Sequence, residues 1–210
     1  MMEGVTPTSA TATFTVERWD TTTLAAAWTA ARPFPHVIID DALTAASLDE
    51  LRAALAQEPH WAERSEIVDG MGSAPAFAHP VLAAFAASLS TPPVLDAVTA
   101  ITGKRVTRGD VRSYLYPPGG YLLPHTDGRR DIGRQVAFAG YLHEPETCAG
   151  GELELFDCTM DGDEIIATTS GACIEPRTNR LVLFDVSARS LHQIREITAG
   201  VRIAVAGWFA

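Results

Sequence analysis

The sequence predicts one mainly β domain, a sandwich or jelly roll, with a layer of helices at its N-terminal side. From about residue 106 onward, short apolar runs are separated by Gly, Pro, Asp and Asn, whereas the preceding residues show helical periodicity. The 210 residues are 47% hydrophobic, which suits a single sizeable core. We therefore expect residues 1–105 to form a helical and strand support region and residues 106–210 the β core of the same domain.

Four segments of the first half are predicted to be helices. An Ala-rich stretch provides the first, and Ser47 with Glu50 forms a capping box that opens the second. A proline begins each of the other two, and Gly103 is placed to close the last in a left-handed conformation. A β-prone run at 34–39 predicts a strand among them. The helical segments are 24–31, the run that begins at Ser47, 80–89 and 93–102.

Seven further segments have the composition of short strands. They are 110–116, 135–142, 151–156, 164–168, 180–184, 192–197 and 202–209. A double-sheet barrel of seven or eight strands can carry a site in its mouth, and the helices would cover a sheet face that is otherwise exposed.

Charge and hydropathy exclude several classes of partner. The formal charge of −10 argues against broad binding to nucleic acid or anionic lipid. No apolar run approaches the roughly 18 to 20 residues that cross a bilayer, and no secretory signal is visible, so a cytoplasmic location is expected. Cys148, Cys158 and Cys173 match no zinc motif and are interpreted as reduced thiols.

A candidate metal site begins at His125 and Asp127. Residues two apart on an extended strand project to the same side, so both side chains can converge on one ion. The pair alone is weak evidence, but His192 in a later strand-like segment completes a set of two His and one carboxylate. This is the facial triad that binds non-haem Fe(II) with open positions, and zinc can use the same ligands.

Arg202 is a candidate anion-binding residue. It lies among apolar neighbours on a predicted core strand, where an arginine is unfavourable unless it meets an anion. A dicarboxylate cosubstrate would satisfy it through a two-pronged hydrogen bond. Tyr141, near the end of the predicted strand 135–142, offers a hydroxyl to the same carboxylate.

The order His125-x-Asp127, His192, Arg202 resembles the iron- and 2-oxoglutarate-dependent dioxygenases, in their prolyl hydroxylase-like branch. The resemblance covers about residues 106–209 and is closest to the ribosomal and hypoxia-sensing prolyl hydroxylases, because Arg202 stands where collagen-type enzymes carry Lys. Matching phrases in order are Tyr116-Pro117, Gly119-Gly120-Tyr121, Tyr141-Leu142, Gly150-Gly151-Glu152-Leu153, Pro176, Asn179-Arg180-Leu181-Val182-Leu183-Phe184 and Gly207-Trp208-Phe209.

The resemblance implies a double-stranded β-helix and a set of site roles. His125, Asp127 and His192 would hold Fe(II), Arg202 and Tyr141 would bind the distal carboxylate of 2-oxoglutarate, and Tyr116 would line the cosubstrate pocket. The implied reaction uses O₂, converts 2-oxoglutarate to succinate and CO₂, and hydroxylates an aliphatic carbon, with ascorbate as a candidate reductant. Because related halogenases lack the carboxylate ligand, Asp127 favours hydroxylation.

The substrate is expected to be a proline-like or other amino-acid-derived molecule, free or peptidyl. Arg112 and Tyr114 share one face of a strand that could form the pocket wall, although Arg112 could instead pair with an acidic neighbour. Arg134, the best placed of a cluster with Arg129 and Arg130, could hold a substrate carboxylate, the alternative being solvated loop charge.

Two other functions remain compatible with the residues. One is a cupin-like sensor that binds metal and ligand without turnover. The other is the same cofactor chemistry with desaturation, cyclisation or epimerisation as its outcome, because hydrogen abstraction is shared and no motif decides the fate of the radical. The C-terminal aromatic pair Trp208-Phe209 is interpreted as core, with no chemical role.

Overall fold

Strands of a curled sheet dominate the computed structural model, which describes residues 12–128, 132–144 and 146–210. Four α-helices of this part of the chain precede most of the sheet: α1 (Thr21–Ala30), α2 (Ala45–Leu55), α3 (Pro80–Ser88) and α4 (Pro92–Thr102). The strands are β1 (His36–Ile39), β2 (Trp61–Arg64), β3 (Val68–Gly72), β4 (Gly109–Tyr116), β5 (Tyr121–His125), β6 (Val136–Tyr141), β7 (Ala149–Gly150), β8 (Leu153–Asp161), β9 (Glu164–Ile174), β10 (Leu181–Asp185), β11 (His192–Ile194), β12 (Ile197–Ala199) and β13 (Arg202–Phe209).

Eleven of these strands form one sheet. Its order is β1, β10, β6, β13, β4, β3, β5, β11, β8 and β9, and β2 pairs with β3 outside this path. All pairs are antiparallel, and β7 and β12 form a separate two-stranded sheet. The sheet curls on itself as a jelly roll, which confirms the predicted fold class of a mainly β protein with N-terminal helices.

The central strands are buried on both faces, because helices cover one face and the interior of the curl lies on the other. Alternation along each strand sends successive side chains to opposite faces. The helix-side cluster contains Phe138, Leu181, Leu183, Val205 and Phe209 together with Leu51, Phe85 and Val98 from the helices. The interior cluster contains Ala137, Ala139, Tyr141, Val182, Phe184 and Ala204.

The helix ends show one confirmed prediction and one error. Gly103 closes α4 with φ of 69°, the left-handed conformation that glycine adopts without strain. The capping box predicted at Ser47 is wrong, since α2 begins at Ala45 and its N-cap is Thr44, three residues before Ser47. Thr44, in an extended conformation, accepts a hydrogen bond from the Ser47 N–H at 3.1 Å, so the first turn already has its cap.

The hairpin β2–β3 was not predicted. Its sequence is polar or glycine-containing, and it pairs with β4 and β5 through β3. Gly70 and Gly72 allow this close approach, because a Cβ at Gly70 would lie 2.8 Å from the Tyr116 ring. The predicted strand 192–197 is also divided, as β11 ends at Ile194 and β12 begins at Ile197.

The described helices can be compared with the length and hydropathy that a membrane-spanning helix requires. No described helix is by itself both long and apolar enough to cross a membrane, and α3 with α4 reach that length and composition only as a pair bent by 49°. Both helices bury apolar side chains in the helix-side cluster. The three cysteines are free thiols.

Candidate metal centre and its cavity

Two neighbouring strands position the three predicted metal ligands. His125 ends β5 and His192 begins β11, and these two residues are direct partners in the antiparallel pairing. Asp127 follows β5 by two residues. The ligand pattern His-x-Asp and the distant His192 therefore meet because β5 and β11 are adjacent in the sheet.

The three side chains form a compact set of donor atoms. The Asp127 carboxylate lies 3.7 Å from Nε2 of His125 and 3.5 Å from Nε2 of His192. One ligand atom from each residue lies within 4.8 Å of those of the other two, a group that could hold a metal ion. His192 and Asp127 are buried and His125 is partly exposed.

Backbone carbonyls orient both imidazoles. Nδ1 of His125 lies 2.9 Å from the Leu123 carbonyl, and Nδ1 of His192 lies 2.9 Å from the Ser190 carbonyl. With Nδ1–H donating to these oxygens, each Nε2 carries its lone pair toward Asp127. Burial lowers the pKa of His192 to about 4, against the opposing effect of the Asp127 charge, so the ring is in the neutral form that ligates metals.

A cavity of about 210 Å³ joins this centre to the interior of the curl. The metal-centre side chains and Arg202 all line it. The cavity is otherwise lined largely by apolar residues: Val68, Leu122, Ala137, Phe138, Ala139, Leu153, Phe184, Ile194 and Ala206. A small molecule that fills the cavity would meet both the metal-ligand group and a cation.

Arg202 is buried without a counter-charge. The residue is 2% exposed, and its Nε has no hydrogen-bond partner. No carboxylate of residues 12–128, 132–144 and 146–210 forms an ion pair with it. Gly151, with φ of 72°, makes room for the side chain, since a Cβ there would lie 2.8 Å from Cδ of Arg202. An unpaired buried guanidinium is costly, so a bound anion is expected.

Two tyrosines flank this guanidinium. The ring centres of Tyr141 and Tyr116 lie 4.9 and 5.5 Å from Cζ of Arg202. The Tyr141 hydroxyl is buried and has no hydrogen bond of good geometry to a described residue, and the neighbouring Arg202 side chain opposes the rise of its pKa that burial causes. Burial raises the pKa of Tyr116 to about 12 and raises that of Tyr141, so both remain hydrogen-bond donors at neutral pH. The unsatisfied hydroxyl and guanidinium fit the carboxylate of 2-oxoglutarate.

The predicted substrate residues have different positions. Tyr114 lines the cavity. Arg112 instead donates to Glu63 at 2.6 Å and to the Ser73 carbonyl at 2.7 Å, which is the acidic pairing that the sequence left open. Arg134 places Cζ 3.3 Å from the centre of the Trp208 ring. Arg129 and Arg130 lie outside the described residues.

Sequence reasoning missed two groups in the cavity wall. Trp208 was interpreted as core but lines the cavity, whereas its neighbour Phe209 is buried on the helix side. The alternation of β13 could have found it, because positions 202 and 208 share a strand face. Glu63 also lines the cavity. No local sequence pattern indicated this position, because the hairpin that carries Glu63 was not predicted.

Comparison with known proteins identifies the domain. Residues 111–210 match the 2OG-Fe(II) oxygenase superfamily. These residues form a 2OG-Fe(II) oxygenase domain. The cofactors of such an oxygenase are Fe(II), 2-oxoglutarate and O₂, and the His/Asp/His group supplies a candidate site for the iron. The resemblance to prolyl hydroxylases is confirmed, and the domain match supports the prediction of an oxygenase.

Prolyl hydroxylases are among the relatives of the oxygenase. Prolyl 3-hydroxylase OGFOD1 of Xenopus laevis is 37% identical over 91 residues, which are 42% of this chain and 17% of that protein. The chain thus matches only a small part of that relative's length.

Solved structures share the fold. A prolyl-4-hydroxylase from Pseudomonas putida superposes with a TM-score of 0.65 at 22% identity, covering 89% of this chain and 97% of that one. A Trichoplax adhaerens prolyl hydroxylase, solved with a peptide fragment of hypoxia inducible factor, gives a TM-score of 0.62 at 20% identity, covering 90% and 86%. These likenesses confirm the double-stranded β-helix.

Proposed function

We propose that this oxygenase hydroxylates an aliphatic C–H bond of a proline-like or other amino-acid-derived substrate. One observation carries the proposal: a His/Asp/His group and an unpaired buried arginine line the same cavity. A dicarboxylate that chelates a metal ion would bind the metal held by the His/Asp/His group and, through its other carboxylate, the arginine. The prolyl hydroxylases among its relatives supply the substrate class by analogy.

His125, Asp127 and His192 would hold Fe(II) through two Nε2 atoms and one carboxylate. Three protein ligands leave coordination positions open for 2-oxoglutarate and O₂. When bound, this group supplies the oxidising chemistry that converts 2-oxoglutarate and O₂ to succinate and CO₂ and oxidises the substrate. The Leu123 and Ser190 carbonyls keep the imidazoles oriented throughout.

Arg202 would bind the distal carboxylate of 2-oxoglutarate. Tyr141 and Tyr116 flank it and, as neutral phenols, would donate hydrogen bonds and leave the positive charge of the guanidinium for the anion. Because Arg202 and the metal ligands line one cavity, the cosubstrate would have one orientation, with its distal carboxylate at Arg202 and its keto-acid end toward the metal ligands.

The cavity wall would keep the reacting carbon dry. Phe184 packs edge-on against His192 with ring centres 4.7 Å apart, and Leu122 and Ile194 line the wall beside the histidines. Exclusion of water protects a reactive centre from side reactions. Tyr114 on the wall and Arg134 against Trp208 are proposed to contact the substrate, Arg134 through a substrate carboxylate.

Anaerobic titration tests the cofactor assignment. Apo-protein is mixed with Fe(II) and then 2-oxoglutarate, and we expect the visible charge-transfer band of a keto-acid chelated to ferrous iron. Zn(II) in place of Fe(II) is the control and should give no band. Iron that binds without producing the band on addition of 2-oxoglutarate would contradict the proposal.

A second measurement tests turnover. Free amino acids and short peptides are screened for succinate release in air with the Fe(II)-loaded protein, and the products are analysed by mass for an added oxygen. A protein that forms the band but releases no succinate above background acts as a sensor. A product lacking two hydrogens assigns desaturation or cyclisation instead of hydroxylation.

A further inference from the structure

Glu63 is a carboxylate in the cavity that the proposed chemistry does not use. Among the described residues that line the cavity, the only acidic side chains are Asp127, assigned to the metal, and Glu63. Glu63 lies on β2, whose hairpin covers the cavity beside β4, and its side chain is 35% exposed. It is therefore available to a molecule that occupies the cavity.

A hydrogen bond from Arg112 holds the Glu63 carboxylate in place. Arg112 donates Nη2 to Oε1 at 2.6 Å, and its Nε donates to the Ser73 carbonyl at 2.7 Å. Gly72 is needed for this arrangement, because a Cβ there would clash with Oε1 of Glu63. The Arg112 contact uses Oε1, so Oε2 keeps its capacity to accept hydrogen bonds.

Two aromatic rings line the cavity together with Glu63, and arginines already lie against both. Cζ of Arg112 lies 5.3 Å from the Tyr114 ring centre and Cζ of Arg134 lies 3.3 Å from the Trp208 ring centre. Oε2 of Glu63, which Arg112 does not contact, is therefore the acceptor in this cavity that is suited to a protonated nitrogen. The other charged groups of the cavity have partners in the proposed complex, since His125, Asp127 and His192 meet the metal and Arg202 meets the cosubstrate.

We propose that Glu63 binds the protonated amino or imino nitrogen of a free amino-acid substrate, an inference that rests on the proposed function. A prolyl residue within a peptide has neither a charge nor an N–H at its nitrogen. Facing such a group, Glu63 would lose hydration without gaining a bond, whereas a free imino acid offers two N–H donors and a positive charge. The enzyme thus selects free amino or imino acids over their peptidyl forms.

The experiment compares binding of free and blocked amino acids to the loaded enzyme. Anaerobic protein carrying Fe(II) and 2-oxoglutarate is titrated with L-proline and the other free amino acids, and with their N-acetyl derivatives and a prolyl peptide. Substrate that binds beside the metal site is expected to perturb the visible band, so the dissociation constant is read without turnover. We expect at least one free amino acid to bind about 10-fold or more tightly than its N-acetyl form.

Variants identify the residue responsible. Glu63→Gln keeps the size of the side chain and removes its charge, and should weaken the free amino acid about 10- to 100-fold without changing 2-oxoglutarate affinity. Glu63→Asp keeps the charge and should recover part of the loss. Glu66→Gln makes the same change at an exposed position of the hairpin turn and should bind as the wild type does.

Three results overturn the inference while the proposed function stands: equal or tighter binding of the blocked compounds, no band perturbation by any free amino acid, or wild-type affinity in Glu63→Gln. Loss of 2-oxoglutarate affinity in Glu63→Gln would also overturn it, by showing that Glu63 supports the cosubstrate site. If the band itself does not form, the proposed function fails, and the inference fails with it.

Discussion

Arg180 immediately precedes β10 and Arg202 begins β13, the two strands that flank β6, and the two arginines differ in which groups compensate their charge. Arg180 is 9% exposed and donates to both oxygens of Asp40, at 2.7 and 3.0 Å, and to the Glu175 carbonyl at 3.1 Å. Arg202 is 2% exposed and has no carboxylate partner in the described chain.

The difference distinguishes a structural ion pair at Arg180 from a candidate anion-binding site at Arg202. Hydrogen bonds from Arg180 lower the pKa of Asp40, as expected when the chain itself provides the counter-charge. At Arg202 the fold instead provides a neutral phenol on either side and an apolar cavity in front. A buried cation that the protein leaves unpaired indicates that the anion comes from outside.

The largest expected effect comes from removing Asp127, one of the three proposed metal ligands. Asp127→Ala should lose iron retention by more than about 100-fold and reduce turnover to background, because a ligand matters more than the groups that orient it. Asp161→Ala, at the exposed tip of the β8–β9 hairpin, is the control. Iron content after desalting and succinate release are measured for both variants. Normal activity in Asp127→Ala would contradict the assignment of the metal centre.

Arg202→Leu tests whether Arg202 binds the carboxylate of 2-oxoglutarate. Loss of a desolvated charge pair costs about 2 kcal/mol or more, so 2-oxoglutarate affinity should fall about 30-fold or more. The free energy of unfolding of the apo-protein should hold steady or rise, because an uncompensated buried charge is gone. Band titration and urea unfolding report the two effects. Unchanged 2-oxoglutarate affinity would place the carboxylate anchor elsewhere.

Arg180→Leu is expected to show the opposite pattern. Three side-chain hydrogen bonds are lost, which should lower the free energy of unfolding by about 1 to 3 kcal/mol, while 2-oxoglutarate affinity stays at the wild-type value. The same two measurements apply. If affinity drops as far as in Arg202→Leu, the two arginines do not divide their roles as described.

The smallest effect is the pH dependence of the Asp40–Arg180 pair. Because the folded-state pKa of Asp40 is lowered, the pair stabilises the protein above the ordinary carboxyl pKa of about 4, and this contribution is lost as pH falls through the lowered value. Asp40 is more than half exposed, so the contribution should be about 0.5 to 1 kcal/mol.

Asp40→Asn removes this titration. The stability difference between wild type and Asp40→Asn, measured by urea unfolding, should be largest near neutrality and shrink below about pH 4. A difference that stays constant down to pH 3 would show that the charge of Asp40 is not what stabilises the pair.

Strand alternation explains how much of the site could be predicted. The spacing of His125 and Asp127 placed both on one side of a strand end, and the two-residue period of β13 relates Arg202 to Trp208. Glu63 could not be found this way. Its strand is short and polar, and it is ordered because β3 pairs with β4 and β5, which local propensity does not encode.

By itself the sequence determined the fold class, the type of each candidate ligand and the side of the strand on which most of them lie. These follow from periodicity, turn residues and the cost of burying charge, which are local properties. Only the tertiary structure decided which charges meet. Asp40 reaches Arg180 across 140 positions of sequence and Glu63 reaches Arg112 across 49, while Arg202 is left unpaired. Sheet order and register set those distances, and they depend on long-range pairing of the whole chain.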